Sequence, residues 1–181
     1  MFSRKDLRDI APSGPVGVIL TRLVKSGMIR RIGRGLYEYP QGSKRLNVLL
    51  PPNADRAAQA IARRHRWTIA PDGAMAANLL GLSTQVPAKV TYLSDGPSRK
   101  LIVEGQTIAF RKTNPKDLRM VNYSSRLIAQ ALRHLGRRNV DDRVIDHLRQ
   151  RVPAPQRARF LRDARYSTDW ILDVAQRIAP E

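Results

Sequence analysis

The chain has 181 residues, 42% of them hydrophobic, and its 33 Lys and Arg against 15 Asp and Glu give a formal net charge of +18 at pH 7. That length suits one domain of ordinary size or two small ones. So large a cationic excess predicts attraction to nucleic acid or to an anionic membrane, with the Arg-rich composition of a high-GC genome as the simpler explanation. Because cysteine is absent, disulfide frameworks, thiol nucleophiles and thiolate metal sites are excluded.

Two features of the sequence predict where the protein resides. Residues 1–10 hold three basic and two acidic side chains and no apolar run, so we expect no signal peptide. No uncharged stretch approaches the length of about 18 apolar residues that a membrane-spanning helix needs. We therefore expect a soluble, cytoplasmic protein that does not enter a membrane.

Three segments with different patterns follow one another along the chain. Residues 1–45 hold ten basic and three acidic side chains, and Pro, Gly and Ser break the periodicity at 40–45. Residues 46–122 carry β-like runs, and residues 123–181 have helical periodicity throughout. We predict an α+β fold with a first domain over 1–45 and a second over 46–181, which combines a mixed α/β region with a C-terminal helical bundle.

The first segment predicts two helices and a turn between them. Ser3 suits the N-cap of a short helix with Leu7 and Ile10 on its inner face, and Ser13 can cap a second helix that ends at Gly27. The apolar residues of the second helix follow the i, i+3, i+4, i+7, i+8 rhythm of one buried stripe, formed by Val16, Ile19, Leu20, Leu23 and Val24.

A basic hairpin is predicted after the second helix. Residues 28–32 and 36–39 are β-prone and are joined by Gly33-Arg34-Gly35. Helix, turn, helix and basic hairpin in this order is the winged helix-turn-helix arrangement, in which one helix lies in the major groove of DNA. A solvated basic face is the simpler alternative, but the polar side of the second helix carries no acidic residue. The predicted DNA-binding residues are Ser13, Thr21, Arg22, Lys25, Arg30, Arg31 and Arg34.

One part of a winged module has no counterpart before Ser3. Such a module normally has a further helix that completes its core, and only two residues precede Ser3 here. Either the chain as given starts late, or the middle region fills the gap, or a partner chain in a homodimer does so. The sequence leaves these three explanations open.

Signals for catalysis and metal binding are weak. Neither G-x-x-x-x-G-K-[ST] nor G-x-G-x-x-G occurs. His65, His134 and His147 are far apart in the sequence, so surface or packing roles are the simpler explanation. Asp141-Asp142 precedes a predicted helix, where negative charge favours the helix dipole. We expect no enzymatic activity, no cofactor and no metal.

Longer stretches of the chain carry a family resemblance. The segments LTRLVKSGMIRRIGRGLYEYP at 20–40 and APDGAMAANLLGLSTQVPAKVTYLSDGPSR at 70–99, with LRHLG at 132–136 and DARYSTDWI at 163–171, resemble the AbiEi-type antitoxins of type IV toxin–antitoxin systems. The resemblance implies a winged helix-turn-helix followed by an antitoxin domain. It also implies repression of the protein's own operon at inverted repeats in promoter DNA, and opposition to a cognate nucleotidyltransferase-like toxin.

The resemblance assigns the DNA role to the seven residues named above and toxin neutralisation to the region after residue 45. The 72–97 segment is either a binding surface or a set of loops shaped by its glycine, proline and turn residues; its polar and turn residues are Asn78, Gly81, Ser83, Thr84, Gln85 and Pro87. The alternative function is a stand-alone winged-helix regulator whose C-terminal domain dimerises or senses a ligand. A nucleic-acid enzyme is the third possibility, and it lacks a clustered set of carboxylates.

Overall fold

The computed structural model describes residues 1–43 and 48–180, and this part of the chain contains seven α-helices and nine short β-strands. The chain divides into two compact units, one formed by Met1–Trp67 with Lys100–Ile108 and the other by Thr68–Arg99 with the residues from Ala109 onward. The first unit therefore contains the segment predicted as a DNA-binding domain and extends beyond residue 45. The predicted boundary at 40–45 lies partly outside the described residues.

The first unit is built on a three-stranded antiparallel sheet of order β1-β3-β2. Tyr37 of the central strand β3 is paired with Phe2 of β1 on one side and with Arg31 of β2 on the other. A single 3-10 turn at Arg4–Leu7 follows β1 where the sequence predicted a helix reaching Ile10. The elements of this unit before residue 68 are β1 Phe2–Ser3, α1 Ser13–Lys25, β2 Arg30–Gly33, β3 Leu36–Glu38, β4 Gly42–Ser43, β5 Val48–Leu49 and α2 Ala54–His65.

The helix α1 buries one stripe and ends where the sequence predicts. Val16 and Leu20 are buried with Ile29 in a small core, against which Leu23 and Tyr37 pack. Gly27 adopts a φ of +74°, which a glycine reaches without the steric cost of a Cβ. The predicted stripe was wrong at one position, because Ile19 is 50% exposed. An ideal helix with a narrow buried face leaves the edge of a five-residue stripe in solvent.

The helix α2 completes the packing of this unit. Asn53 caps this helix by accepting a hydrogen bond from the Arg56 amide at 2.9 Å. The helix packs against β1 and β3. Its buried face is rich in alanine, which lets the helix approach the sheet closely: Ala57, Ala58, Ala60, Ile61 and Ala62.

The second unit has a helical core centred on α4, which packs against α3, α6 and β6. Leu132, Phe160 and Ile171 are fully buried there. Its helices are α3 Gly73–Leu79, α4 Tyr123–Leu135, α5 Asp142–Arg151, α6 Ala154–Ala164 and α7 Asp169–Ile178. The third sheet has the order β6-β7-β9-β8, with β6 Ile69–Pro71, β7 Val90–Ser94, β8 Arg99–Val103 and β9 Gln106–Lys112.

These elements confirm the predicted α+β class. One helix start differs from the prediction by a residue, since Pro12 rather than Ser13 occupies the N-cap position of α1. The helix α5 begins at Asp142, as the sequence predicts, and the Asp141 carboxylate caps it by accepting a hydrogen bond from the Val144 amide at 3.0 Å. No helix in the described part of the chain is both long and apolar enough to span a bilayer.

Candidate nucleic-acid interface

The exposed side of α1 is cationic and apolar, without a carboxylate. Thr21, Arg22 and Lys25 are exposed on it, as the sequence predicts. The Arg22 and Lys25 side chains make no hydrogen bond or ion pair with any described residue. Val18 and Ile19 are 54% and 50% exposed on the same surface. The helix therefore presents two unpaired cations beside two solvated branched side chains.

The Thr21 hydroxyl is already engaged within the helix. It donates to the Gly17 carbonyl at 2.9 Å, the i−4 hydrogen bond that Ser and Thr often make in helices. Gly17 in turn lies under a cation, because a Cβ built on it would be 3.1 Å from Nη2 of Arg4. The small residue thus permits Arg4 to lie against α1. This contact between Arg4 and α1 was not predictable, because nothing in the sequence around Arg4 indicates it.

The hairpin formed by β2 and β3 carries two further exposed arginines. Arg31 lies directly opposite Tyr37, so both side chains are on the same face of the sheet. Tyr37 packs against the α1 core, which places Arg31 on the α1 side of the sheet. Arg34 is at the turn, and its side chain makes no bond to another described residue. Gly35 has a φ of +67°, as the tight turn requires.

Arg30 is the exception among the predicted binding residues. Its Nε donates to Oε1 of Glu38 at 2.9 Å, and its Nη2 contacts the same oxygen and donates to the Leu50 carbonyl at 2.9 Å. Oε2 of Glu104 lies 3.4 Å from Nη1. The side chain is 23% exposed and that of Glu38 is 9% exposed. Arg30 is thus neutralised inside the unit, and we assign it to folding rather than to a ligand.

Asp6, an acidic residue near the start of the chain, is also bonded within the fold. Asp6 accepts hydrogen bonds from the amide and hydroxyl of Ser3 at 2.7 and 3.0 Å, and Arg63 lies 3.4 Å away. Burial acts to raise the pKa of Asp6, but the bonds from Ser3 and the charge of Arg63 lower it below its ordinary value. The carboxylate therefore stays ionised and bonded at neutral pH.

The seven predicted residues thus separate into groups. Arg22, Lys25, Arg31 and Arg34 are exposed and basic, Thr21 is exposed with an internal bond, and Arg30 is paired with Glu38. Ser13 is the first residue of α1, and its side chain lies outside the described part of the structure. The exposure of Val18 and Ile19 was missed, because periodicity alone does not tell a buried edge position from an exposed one.

In the second unit, the 72–97 segment is held by its own polar groups. Nδ2 of Asn78 donates to the carbonyls of Gln85 at 3.0 Å and Ser83 at 3.4 Å, and the Ser83 hydroxyl accepts from the Gln85 amide. Gly81 has a φ of +72°. These contacts favour the loop-shaping interpretation of this segment. His147 likewise has a packing role, since its Nε2 is 2.8 Å from the Leu80 carbonyl.

Comparison with known proteins places the sequence in a family. Residues 1–156 match a family described as "Family of unknown function (DUF6088)". The chain belongs to this family. No curated protein and no solved structure matches it. Among the described residues, no group of three or more His, Cys, Asp or Glu side chains is placed to hold a metal ion.

Proposed function

We propose that the first unit is a winged helix-turn-helix module that binds double-stranded DNA, with α1 in the major groove and the β2–β3 hairpin on the flanking backbone. The observation that carries the proposal is the acid-free exposed side of α1, on which Arg22 and Lys25 have no partner among the described residues. Lysine and arginine in such positions are free to neutralise phosphates and to release counterions.

The dimensions of α1 suit this role. Its 13 residues span about 20 Å at 1.5 Å per residue, and the major groove, about 12 Å wide, accommodates one helix. Arg22 and Lys25 would contact phosphates or guanine edges, while Val18 and Ile19 would contact thymine methyl groups. Arg31 and Arg34 would hold the hairpin against the backbone.

We further propose that the protein is an antitoxin that counteracts a nucleotidyltransferase-like toxin and represses its own operon. This proposal rests on the resemblance of residues 20–40 and 70–99 to AbiEi-type antitoxins. Binding at inverted repeats would bring two copies onto one operator, so a homodimer on DNA is part of the proposal.

Fluorescence anisotropy with duplex DNA from the protein's own promoter region tests the DNA-binding proposal. The double variant Arg22→Ala/Lys25→Ala should bind more weakly, and the slope of log K against log salt concentration should become shallower by about 1.8, at about 0.9 per lost phosphate contact. The matched control is Arg143→Ala/Arg151→Ala, which removes two exposed arginines of α5 in the second unit. An equal effect of both pairs would show that total charge, not the α1 surface, determines binding.

Co-expression with the neighbouring reading frame tests the antitoxin proposal. If that frame encodes a nucleotidyltransferase-like toxin, the full chain should restore growth, and so should Arg22→Ala/Lys25→Ala, because repression and neutralisation lie in different units. Growth inhibition that the full chain does not relieve would leave the stand-alone regulator as the better function.

A further inference from the structure

A cavity of about 330 Å³ lies within the second unit and is lined by an unusual number of cations. Its walls come from α4, from the residues before α4, and from the end of α6 with the turn that leads into α7. The single carboxylate in the lining belongs to Asp163. Four arginines also belong to the lining, Arg119, Arg126, Arg133 and Arg162.

The four arginines are of two kinds. Arg126 is buried, and it is fixed by hydrogen bonds from Nε to the Ile69 carbonyl at 2.8 Å and from Nη1 to the Met120 carbonyl at 2.6 Å. Burial lowers the pKa of this guanidinium, an effect that nearby Tyr123 and Asp163 oppose. The other three are exposed and make no hydrogen bond or ion pair within the described part of the chain.

The carboxylate in the lining does not neutralise these cations. Oδ2 of Asp163 accepts hydrogen bonds from the amide and the side-chain nitrogen of Asn122 at 3.1 and 3.0 Å. No arginine of the lining lies within 4 Å of it among the ion pairs of the described residues. Asp163 is thus used to tie the start of α4 to α6, and the cavity keeps an excess of positive charge.

Two residues with hydroxyl groups, Ser167 and Thr168, belong to the lining. The Ser167 Oγ is itself buried and makes no hydrogen bond with any described residue, so it does not present its hydroxyl to the cavity. Thr168, the next residue, occupies the N-cap position of α7, and its hydroxyl makes no cap bond. Hydroxyls, backbone amides at a helix start and guanidinium forks together are donors that suit the oxygens of a phosphate group.

The remaining lining is apolar. Met120, Val121, Ala129 and the ring of Tyr166 contribute it. A volume of this size is at the small end of the range for ligand sites, and one phosphate ion alone would leave much of it empty. The combination fits a ligand with a compact anionic end and a flat or apolar end.

We propose that this cavity binds a small phosphate monoester of the nucleoside monophosphate class, with its phosphate held by the exposed guanidinium groups of Arg133 and Arg162. Arg126 positions the wall through its carbonyl contacts. The site belongs to the second unit, and it stands whether or not the first unit binds DNA. It gives the protein a means of sensing a metabolite.

Isothermal titration calorimetry on the full chain tests the site with adenosine 5′-monophosphate, inorganic phosphate and adenosine as probes. The monophosphate should bind saturably at one site, phosphate more weakly, and adenosine least. Arg133→Ala/Arg162→Ala should weaken the monophosphate by about tenfold or more, since it removes charge-assisted hydrogen bonds. Arg143→Ala/Arg151→Ala should leave it unchanged.

Several results would overturn the proposal. Equal loss in the Arg143→Ala/Arg151→Ala control would mean that unspecific charge attraction is measured. Equal binding of adenosine would mean that the phosphate is not recognised. Displacement of the monophosphate by a short DNA duplex would assign the cavity to a nucleic-acid backbone, and absence of saturable binding by either phosphate probe would remove the site.

Discussion

Arg30 and Arg31 are adjacent arginines of the same strand, and we expect their alanine variants to fail in opposite ways. Arg30 is paired with the carboxylates of Glu38 and Glu104, whereas the Nε of Arg31 makes one long hydrogen bond to the Gly33 carbonyl at 3.3 Å. Both substitutions remove one positive charge from the hairpin. Only Arg30→Ala should destabilise the fold, and only Arg31→Ala should weaken DNA binding without loss of stability.

The size of the Arg30 effect follows from what its removal leaves behind. The Glu38 side chain is only 9% exposed and would lose its closest cation, and the Leu50 carbonyl would lose a donor. Removing one partner of a buried ion pair costs about 3–5 kcal/mol. Because the Arg30 side chain is 23% exposed and water can reach its side of the pair, we expect about 2–3 kcal/mol, at or below the lower limit of that range. That corresponds to a fall in melting temperature on the order of 10 °C or more for a unit of this size.

Thermal unfolding followed by circular dichroism, together with anisotropy on promoter DNA, separates the two outcomes. Arg31→Ala should change the free energy of unfolding by no more than about 0.5 kcal/mol, as surface substitutions usually do, and should make the salt slope shallower by about 0.9. The reasoning fails if Arg30→Ala unfolds at the wild-type temperature and binds DNA poorly, because Arg30 would then be a ligand and not a folding residue.

Three further predictions concern packing, pH and loop order. Gly73→Ala should lower the free energy of unfolding by about 1–3 kcal/mol in urea titration, because its Cβ would lie 2.6 Å from the Cβ of His134. The control Gly14→Ala should keep or raise the free energy of unfolding, because no atom lies within 4 Å of its new Cβ. Because the pKa of Asp6 is lowered in the folded protein, its stabilising contribution is present above the ordinary pKa of 3.8 and is lost as the pH falls through the folded-state pKa. Asp6→Asn should therefore flatten the dependence of the free energy of unfolding on pH below 3.8. An unchanged dependence would contradict the assignment. Asn78→Ala should speed amide hydrogen exchange of the 82–85 loop, which the Asn78 side chain holds through two carbonyls, with α7 as an internal reference that stays unchanged.

The elements that depend on local chemistry were predictable from the sequence. Three such features are the end of α1 at Gly27, the β2–β3 turn at Gly35 and the start of α5 after Asp141. Each depends on one residue whose backbone preference or negative charge can be recognised without its tertiary surroundings. Agreement is best where one residue type satisfies one backbone need.

The candidate interface was only partly predictable, because a charge in a sequence does not reveal its partner. Arg30 and Arg31 are indistinguishable by pattern, yet Glu38 and Glu104 reach only Arg30. Glu38 lies on β3 and Glu104 in the turn between β8 and β9, so the pairing exists only once both hairpins have formed. The prediction that Ile19 is buried was wrong for a related reason. Whether a residue at the edge of a helix face is buried depends on how far the neighbouring sheet extends.

The same argument limits what the net charge of +18 says about function. A considerable part of the arginine content is bonded to backbone carbonyls: Arg64 donates to the Arg34 carbonyl, Arg149 to that of Arg177, and Arg157 to that of Ile178. These guanidinium groups satisfy chain carbonyls that would otherwise lack a donor, so an Arg-rich composition is used structurally without a polyanion. The sites that remain informative are those where basic side chains lie close together without partners in the described chain. The α1 surface and the cavity beside α4 are two such places, and the anions we propose for them differ, a DNA backbone for the first and a small phosphate ester for the second.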